Sequence, residues 1–78
     1  MITLEELIQL YSQVRQAYLD APESRAFLAA FGLGEEDYCH TVVRCILTPE
    51  ERREVDNTRR RYAYHVAANP VREVRCAG

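Results

Sequence analysis

Apolar side chains recur every three or four residues through the first twenty positions of the chain. This spacing places side chains on one face of an α-helix, and the residues that show it are Leu4, Leu7, Ile8, Tyr11, Val14 and Tyr18. Thr3 and Glu6 have the spacing of a capping box, so the helix should begin near Leu4. The spacing therefore predicts an amphipathic helix, which must bury its apolar face against other elements.

Three further helices are indicated by residues that start or end helices. Pro22 suits the first position of a second helix, and Gly32 suits its end. The acids of residues 35–37 favour the positive end of a third helix. We expect a helix there, although the β-branched pair at 42–43 is also typical of a strand.

The clearest helix start lies at Thr48, which is followed by a proline and by an acid three residues on. The helix should continue to about Ala68, because Asn69 precedes Pro70 and is disfavoured from helical geometry. The sequence thus predicts an all-α fold, a small bundle of about four helices in a single domain over residues 1–78. Residues 70–78 are expected to form a tail or a short appended element.

The first helix has an apolar arc wider than a bundle core needs. Leu10, Ala17 and Leu19 flank the stripe and widen the arc to roughly 200°. Either this helix is central and covered by the other helices, or part of it meets a second chain. We expect a two-fold symmetric homodimer, with interface residues Leu10, Tyr11, Val14, Arg15 and Tyr18.

The stretch NTRRRYAYHVAANP, residues 57–70, places three consecutive arginines before two tyrosines and a histidine. A helical wheel continued from Val55 turns Tyr62 toward the core and Tyr64 outward, near the arginines. We therefore predict a protein-interaction face on this helix, since exposed aromatic and arginine side chains are typical binding anchors. The predicted partner-binding residues are Arg53, Arg60, Arg61 and Tyr64.

Two other interpretations of the arginine stretch stay open. Glu50 lies three residues before Arg53, and Asp56 lies three and four before Arg59 and Arg60, so the face could be a solvated one with intrahelical ion pairs. Alternatively, the arginines could contact phosphates while the tyrosine stacks on a base.

The segment ILTPEERREV, residues 46–55, resembles the start of a helix in Trp-repressor-like DNA-binding proteins. The likeness covers ten residues and consists mostly of helix-capping chemistry, so no residue role is transferred from that family.

The sequence gives little support for a metal site or for a catalytic nucleophile. Potential ligands are present at Cys39, His40, Cys45, His65 and Cys76, but their spacing matches no metal motif. Adjacent Cys39 and His40 point about 100° apart on a helix, too far for a nucleophile–base pair. We expect no metal, no cofactor and no enzymatic activity.

Composition and charge complete the functional expectation. No apolar run reaches the roughly 20 residues of a membrane span, and three cysteines fit free thiols in the cytoplasm. The absence of lysine indicates a GC-rich bacterium or its phage. We expect a protein-binding module, either a regulatory or an inhibitory protein of phage or bacterial origin that occludes a host complex, as anti-CRISPR proteins do. The alternative is a small DNA- or RNA-associated transcriptional regulator that uses the arginine face.

Overall fold

The computed structural model describes residues 2–69, apart from the side chain of Asn57. All regular structure in this part of the chain is helical, which confirms the predicted all-α fold. The predicted tail at 70–78, with Cys76, lies outside the described residues. Five helices follow one another: α1 (Leu4–Leu19), α2 (Pro22–Ala30), α3 (Glu35–Ile46), α4 (Pro49–Glu54) and α5 (Asn57–Ala68).

The predicted helix ends form through local hydrogen bonds. At the start of α1, Thr3 and Glu6 make the reciprocal capping box, with backbone-to-side-chain distances of 2.9 and 3.1 Å. The same exchange links Thr48 and Glu51 at the start of α4. Helix α2 begins at its proline and ends in a Schellman motif, in which Gly32 adopts a positive φ of 78°.

The prediction of one continuous helix from Pro49 to Ala68 is wrong. Val55 has extended backbone angles and buries its side chain completely, so α4 stops there. Asp56 then caps a new helix, because its carboxylate accepts a 2.8 Å hydrogen bond from the backbone N–H of Arg59. Because of this break, the side chains of α5 point in other directions than one continuous helix would give them.

The reset phase reverses the predicted roles of two tyrosines. Tyr64 is only 8% exposed, whereas Tyr62 is 56% exposed. The buried face of α5 runs through Ala63, Tyr64 and Ala67, so our prediction of an exposed Tyr64 and a buried Tyr62 is wrong. The small alanines on either side of Tyr64 let α5 lie close to its neighbour.

Helix α1 is the centre of the molecule and packs against α2, α3 and α5. The core is formed by Leu7, Tyr11, Val14, Cys39, Val43, Leu47, Val55, Ala63, Tyr64 and Ala67. Neighbouring helices of the same chain therefore cover much of the wide apolar arc of α1. This is the arrangement that we considered as the alternative to a dimer.

Two of the five predicted dimer-interface residues are not available to a second chain. Tyr11 is fully buried and Val14 is 7% exposed within the single chain, so the prediction is wrong for both. Leu10, Arg15 and Tyr18 are partly buried and keep some accessible surface. A homodimer stays a prediction, but its interface would have to lie largely elsewhere.

The buried side of α3 is narrower than its apolar residues suggest. Cys39, Val43 and the adjoining Leu47 are buried, while Tyr38 and Val42 are only partly so. Ile46, the other large apolar side chain of α3, is 55% exposed because no described helix covers the end of α3 on that side.

The tyrosine assignment can be checked by thermal unfolding. Tyr64→Ala should lower the melting temperature by about 10 °C or more, since removing a buried aromatic costs roughly 3–5 kcal/mol. Tyr62→Ala is the matched control and should change it by only a few degrees. Equal effects of the two substitutions would contradict the observed phase of α5.

Candidate functional site

One carboxylate oxygen joins three helices beside the core. Glu35 Oε2, at the start of α3, accepts hydrogen bonds from Arg15 Nε of α1 at 2.6 Å and from Tyr64 Oη of α5 at 2.7 Å. The Glu35 and Arg15 side chains are only 25% and 29% exposed, so this ion pair is partly shielded from water. Two charge-assisted hydrogen bonds on one oxygen fix where α5 lies against α1 and α3.

A second polar chain runs next to the first. Tyr11 Oη lies 2.7 Å from His40 Nδ1, and His40 Nε2 lies 3.3 Å from Glu36 Oε2. The ring of Tyr11 meets those of His40 and Tyr64 edge-on, at centroid distances of 5.4 and 6.0 Å. A buried phenol needs a hydrogen-bond partner, and the imidazole supplies it.

Burial keeps the two tyrosine hydroxyls and the neighbouring thiol of Cys39 protonated. It raises the pKa of the Tyr11 and Tyr64 hydroxyls above the usual 10.0, and the bond to Glu35 raises that of Tyr64 further. Burial also raises the pKa of the Cys39 thiol from 9.0 to about 11, with the Glu35 charge as a second cause. At neutral pH all three groups are protonated, and Cys39 is not a ready nucleophile.

The arginines predicted from the sequence lie in two places. Arg60 and Arg61 of α5 line a surface pocket of about 410 Å³, together with Arg44 of α3. Arg53 lies apart, beside a depression formed by α4. Tyr64 is buried below the surface, so the structure brings together only two of the four predicted partner-binding residues.

The remainder of the pocket wall comes from α3 and from the loop before it. Asp37, His40 and Thr41 lie on the same side of α3 as Arg44, one and two turns away, and Leu33 closes one edge. Arg60 is held by a 3.0 Å hydrogen bond to the carbonyl of Val55, in the α4–α5 break. Arg44 was missed by sequence reasoning, because nothing local indicates that α3 faces the arginines of α5.

Some of the intrahelical ion pairs expected around these arginines are absent from the described part of the chain. Within residues 2–69, no ion pair forms between Glu50 and Arg53, and Asp56 caps the backbone of α5. In the same part of the chain, the side chains of Arg44 and Arg61 have no hydrogen bond or ion pair.

An exposed aromatic pair at the end of α2 was also missed: Phe27 lies within the helix and Phe31 is its C-cap residue. Phe27 and Phe31 are 64% and 67% exposed, and their rings meet edge-on with centroids 5.0 Å apart. No residue of α2 is buried. Their i, i+4 spacing beside alanines is a signal that could have indicated a surface anchor.

The potential metal ligands within residues 2–69 do not come together. Cys39 is buried and Cys45 is exposed, and both thiols are free. Among the described residues, no three histidine, cysteine or acidic side chains are placed to hold a metal ion.

The chain was compared with protein-family models, with curated proteins and with solved structures, and none of them matches it. None of the helices between residues 2 and 69 has the length and apolar character that crossing a bilayer requires. The fold and the surface chemistry are therefore the basis for a functional proposal.

The buried hydroxyls and thiol predict a loss of stability in alkali. The pKa values of these groups are higher in the folded state than in the unfolded state. Their contribution to stability is therefore complete below the unfolded pKa values of 9.0 and 10.0, and it is lost as the pH rises toward the folded pKa values. The melting temperature should be level up to about pH 9 and then fall. The part of this fall that comes from Cys39 should lie between pH 9.0 and about 11.

The variants Tyr64→Phe and Cys39→Ala should each fall less steeply above pH 9.0 than the parent chain. Tyr62→Phe removes an exposed hydroxyl and serves as the control, with an unchanged slope. Parallel curves for all four proteins would show that the buried groups are not responsible.

Proposed function

We propose that this chain is a non-enzymatic protein-binding module that contacts its partner through α2. The observation that carries the proposal is the aromatic pair: Phe27 and Phe31 stay about two-thirds exposed on a helix with no buried residue. The exposed apolar area of such a pair is unfavourable in water, and the pair serves as a binding site when another surface covers it.

The energetics favour a partner that receives the pair in an apolar groove. Fully burying a phenylalanine side chain is worth about 1.5–3 kcal/mol. The edge-on contact between Phe27 and Phe31 holds the rings in place before binding, which lowers the entropy lost on association. One helix that presents i, i+4 anchors is a common way for a short element to fill a groove.

The chemistry of the described residues supports a binding role. Cys39 is buried and protonated, and both ring nitrogens of His40 already face side-chain partners. The absence of lysine supports an origin in a GC-rich bacterium or its phage. The proposal in its finer form is a regulatory or inhibitory protein that occludes a surface of a larger host complex, in the manner of anti-CRISPR proteins.

The arginine face is a second element of this proposal. Arg53, Arg60 and Arg61 remain predicted partner contacts, and Tyr62 is the exposed aromatic next to Arg61 in place of Tyr64. Arginines at the rim of an interface act mainly on association rate and specificity, whereas buried aromatic anchors supply most of the affinity.

The proposal predicts that α2 selects the partner. In affinity capture from a GC-rich bacterial lysate, the double variant Phe27→Ser/Phe31→Ser should lose a protein that the parent chain retains, with an unchanged melting temperature. Ile46→Ser, which changes an exposed apolar side chain outside both α2 and the arginine face, should retain that protein. Equal capture by the double variant and the parent chain would refute the role of α2.

Light scattering then separates a foreign partner from a second copy of the chain. A mass near 9.0 kDa for the isolated protein is expected if α2 is reserved for another protein. A mass near twice that value, returning to 9.0 kDa in the double phenylalanine variant, would show that the partner is a second copy.

A second candidate, binding of DNA or RNA, is favoured by the clustering of Arg44, Arg60 and Arg61 near the exposed Tyr62. It predicts retention of a nucleic acid in a gel shift at low salt, which weakens steeply as salt is added. Absence of retention at low salt would remove this candidate.

A further inference from the structure

The pocket between α3 and α5 has the size and the charge of a small-ligand site. Its volume of about 410 Å³ falls within the roughly 300–1,000 Å³ of small-molecule pockets. Three guanidinium groups line it, from Arg44, Arg60 and Arg61, against the single carboxylate of Asp37. The formal charge of these side chains is therefore two positive units.

The position of the arginines on α5 adds to this positive charge. The first turn of α5 contains no acid, and three consecutive arginines lie at residues 59–61, close to the positive end of the helix. Cations at a helix N-terminus are unfavourable by a few tenths of a kcal/mol or more. The carboxylate of Asp56 caps this end of the helix by accepting a hydrogen bond from the backbone N–H of Arg59. A fold that places cations at this end concentrates positive potential on the pocket.

Two of the three guanidinium groups have their donors available. Within residues 2–69, Arg44 and Arg61 make no side-chain hydrogen bond or ion pair, and both are exposed. Arg60 is positioned by the carbonyl of Val55, which directs it from the α4–α5 break. His40 already faces Tyr11 and Glu36 through its ring nitrogens, so it serves as a wall of the pocket.

We propose that this pocket binds a phosphate monoester. A monoester carries a charge of about −1.5 to −2 at neutral pH, which balances the two positive units of the wall. The planar forks of Arg44 and Arg61 match phosphate oxygens in pairs, and the hydroxyl of Thr41 supplies another donor. The proposal does not depend on a protein partner at α2, because no residue of α2 lines the pocket.

The test is a titration of the full chain followed by two-dimensional ¹H–¹⁵N NMR. Inorganic phosphate and O-phosphoserine are added at constant ionic strength, with sodium chloride as the reference. The backbone amides of Thr41, Arg44, Arg60 and Arg61 should shift and saturate, while those of α2 stay in place. Shifts that are absent, or that grow linearly over the whole surface, would overturn the proposal.

Variants distinguish a built pocket from a generally basic surface. Arg44→Gln and Arg61→Gln should each weaken phosphate binding by at least about tenfold, as expected for losing a hydrogen bond to a charged group. Asp37→Asn should strengthen it, because the competing carboxylate is removed. Arg53→Gln is the matched control outside the pocket and should leave the affinity unchanged; an equal loss in all three arginine variants would overturn the proposal.

The same arginines could instead bind the backbone of a nucleic acid, whose phosphate diesters each carry a single charge. A short single-stranded oligonucleotide is therefore titrated in parallel. If it shifts the pocket amides while inorganic phosphate and O-phosphoserine do not, the arginines serve a nucleic acid and the monoester proposal is refuted. Capture of a protein through α2 is unaffected by either result, so the two proposals can fail separately.

Discussion

The carboxylate of Glu35 is the interaction on which the arrangement of the helices depends. A chain of 78 residues has a small core and few kilocalories of stability to spare. Apolar packing around α1 drives the helices together, but it is non-directional and does not choose among similar orientations. The two bonds that Glu35 Oε2 accepts, from Arg15 and Tyr64, are directional and connect α1, α3 and α5 at one point. They place Tyr64 inside, and thereby turn Arg60 and Arg61 toward α3.

The surfaces proposed to be functional follow from this arrangement. With α1 central and α5 locked against it, the arginines of α5 meet Arg44 across a pocket. Helix α2, which packs mainly on α1, contributes nothing to the buried core and leaves its aromatic pair in solvent. The molecule thus has an apolar core, in which the hydroxyls of Tyr11 and Tyr64 and the thiol of Cys39 stay protonated. Outside this core it presents two exposed surfaces, one apolar and one positively charged.

Local features of the fold were predictable from the sequence, and long-range ones were not. Thr3, Gly32 and Thr48 mark helix ends through hydrogen bonds within a few residues, and Pro22 marks one through its fixed φ, so their patterns predicted the structure correctly. Asp56 could also have been recognised as a cap, but the ion-pair spacing to Arg59 and Arg60 gave a competing interpretation. The burial of Val55 decides between them, and that burial depends on α1 and α3 being in place. The same dependence hid the bond between Tyr64 and Glu35, which are 29 residues apart.

The most direct test of the role of Glu35 is a double-mutant cycle on the free energy of unfolding in urea. The proteins are the parent chain, Glu35→Ala, Tyr64→Phe and the double variant, with Tyr62→Phe replacing Tyr64→Phe in a control cycle. The structure predicts that the effects of Glu35→Ala and Tyr64→Phe are non-additive by about 1 kcal/mol or more, as expected for a hydrogen bond to a charged group. Effects that add within about 0.3–0.5 kcal/mol, as predicted for the control cycle, would contradict a direct bond from Tyr64 to Glu35.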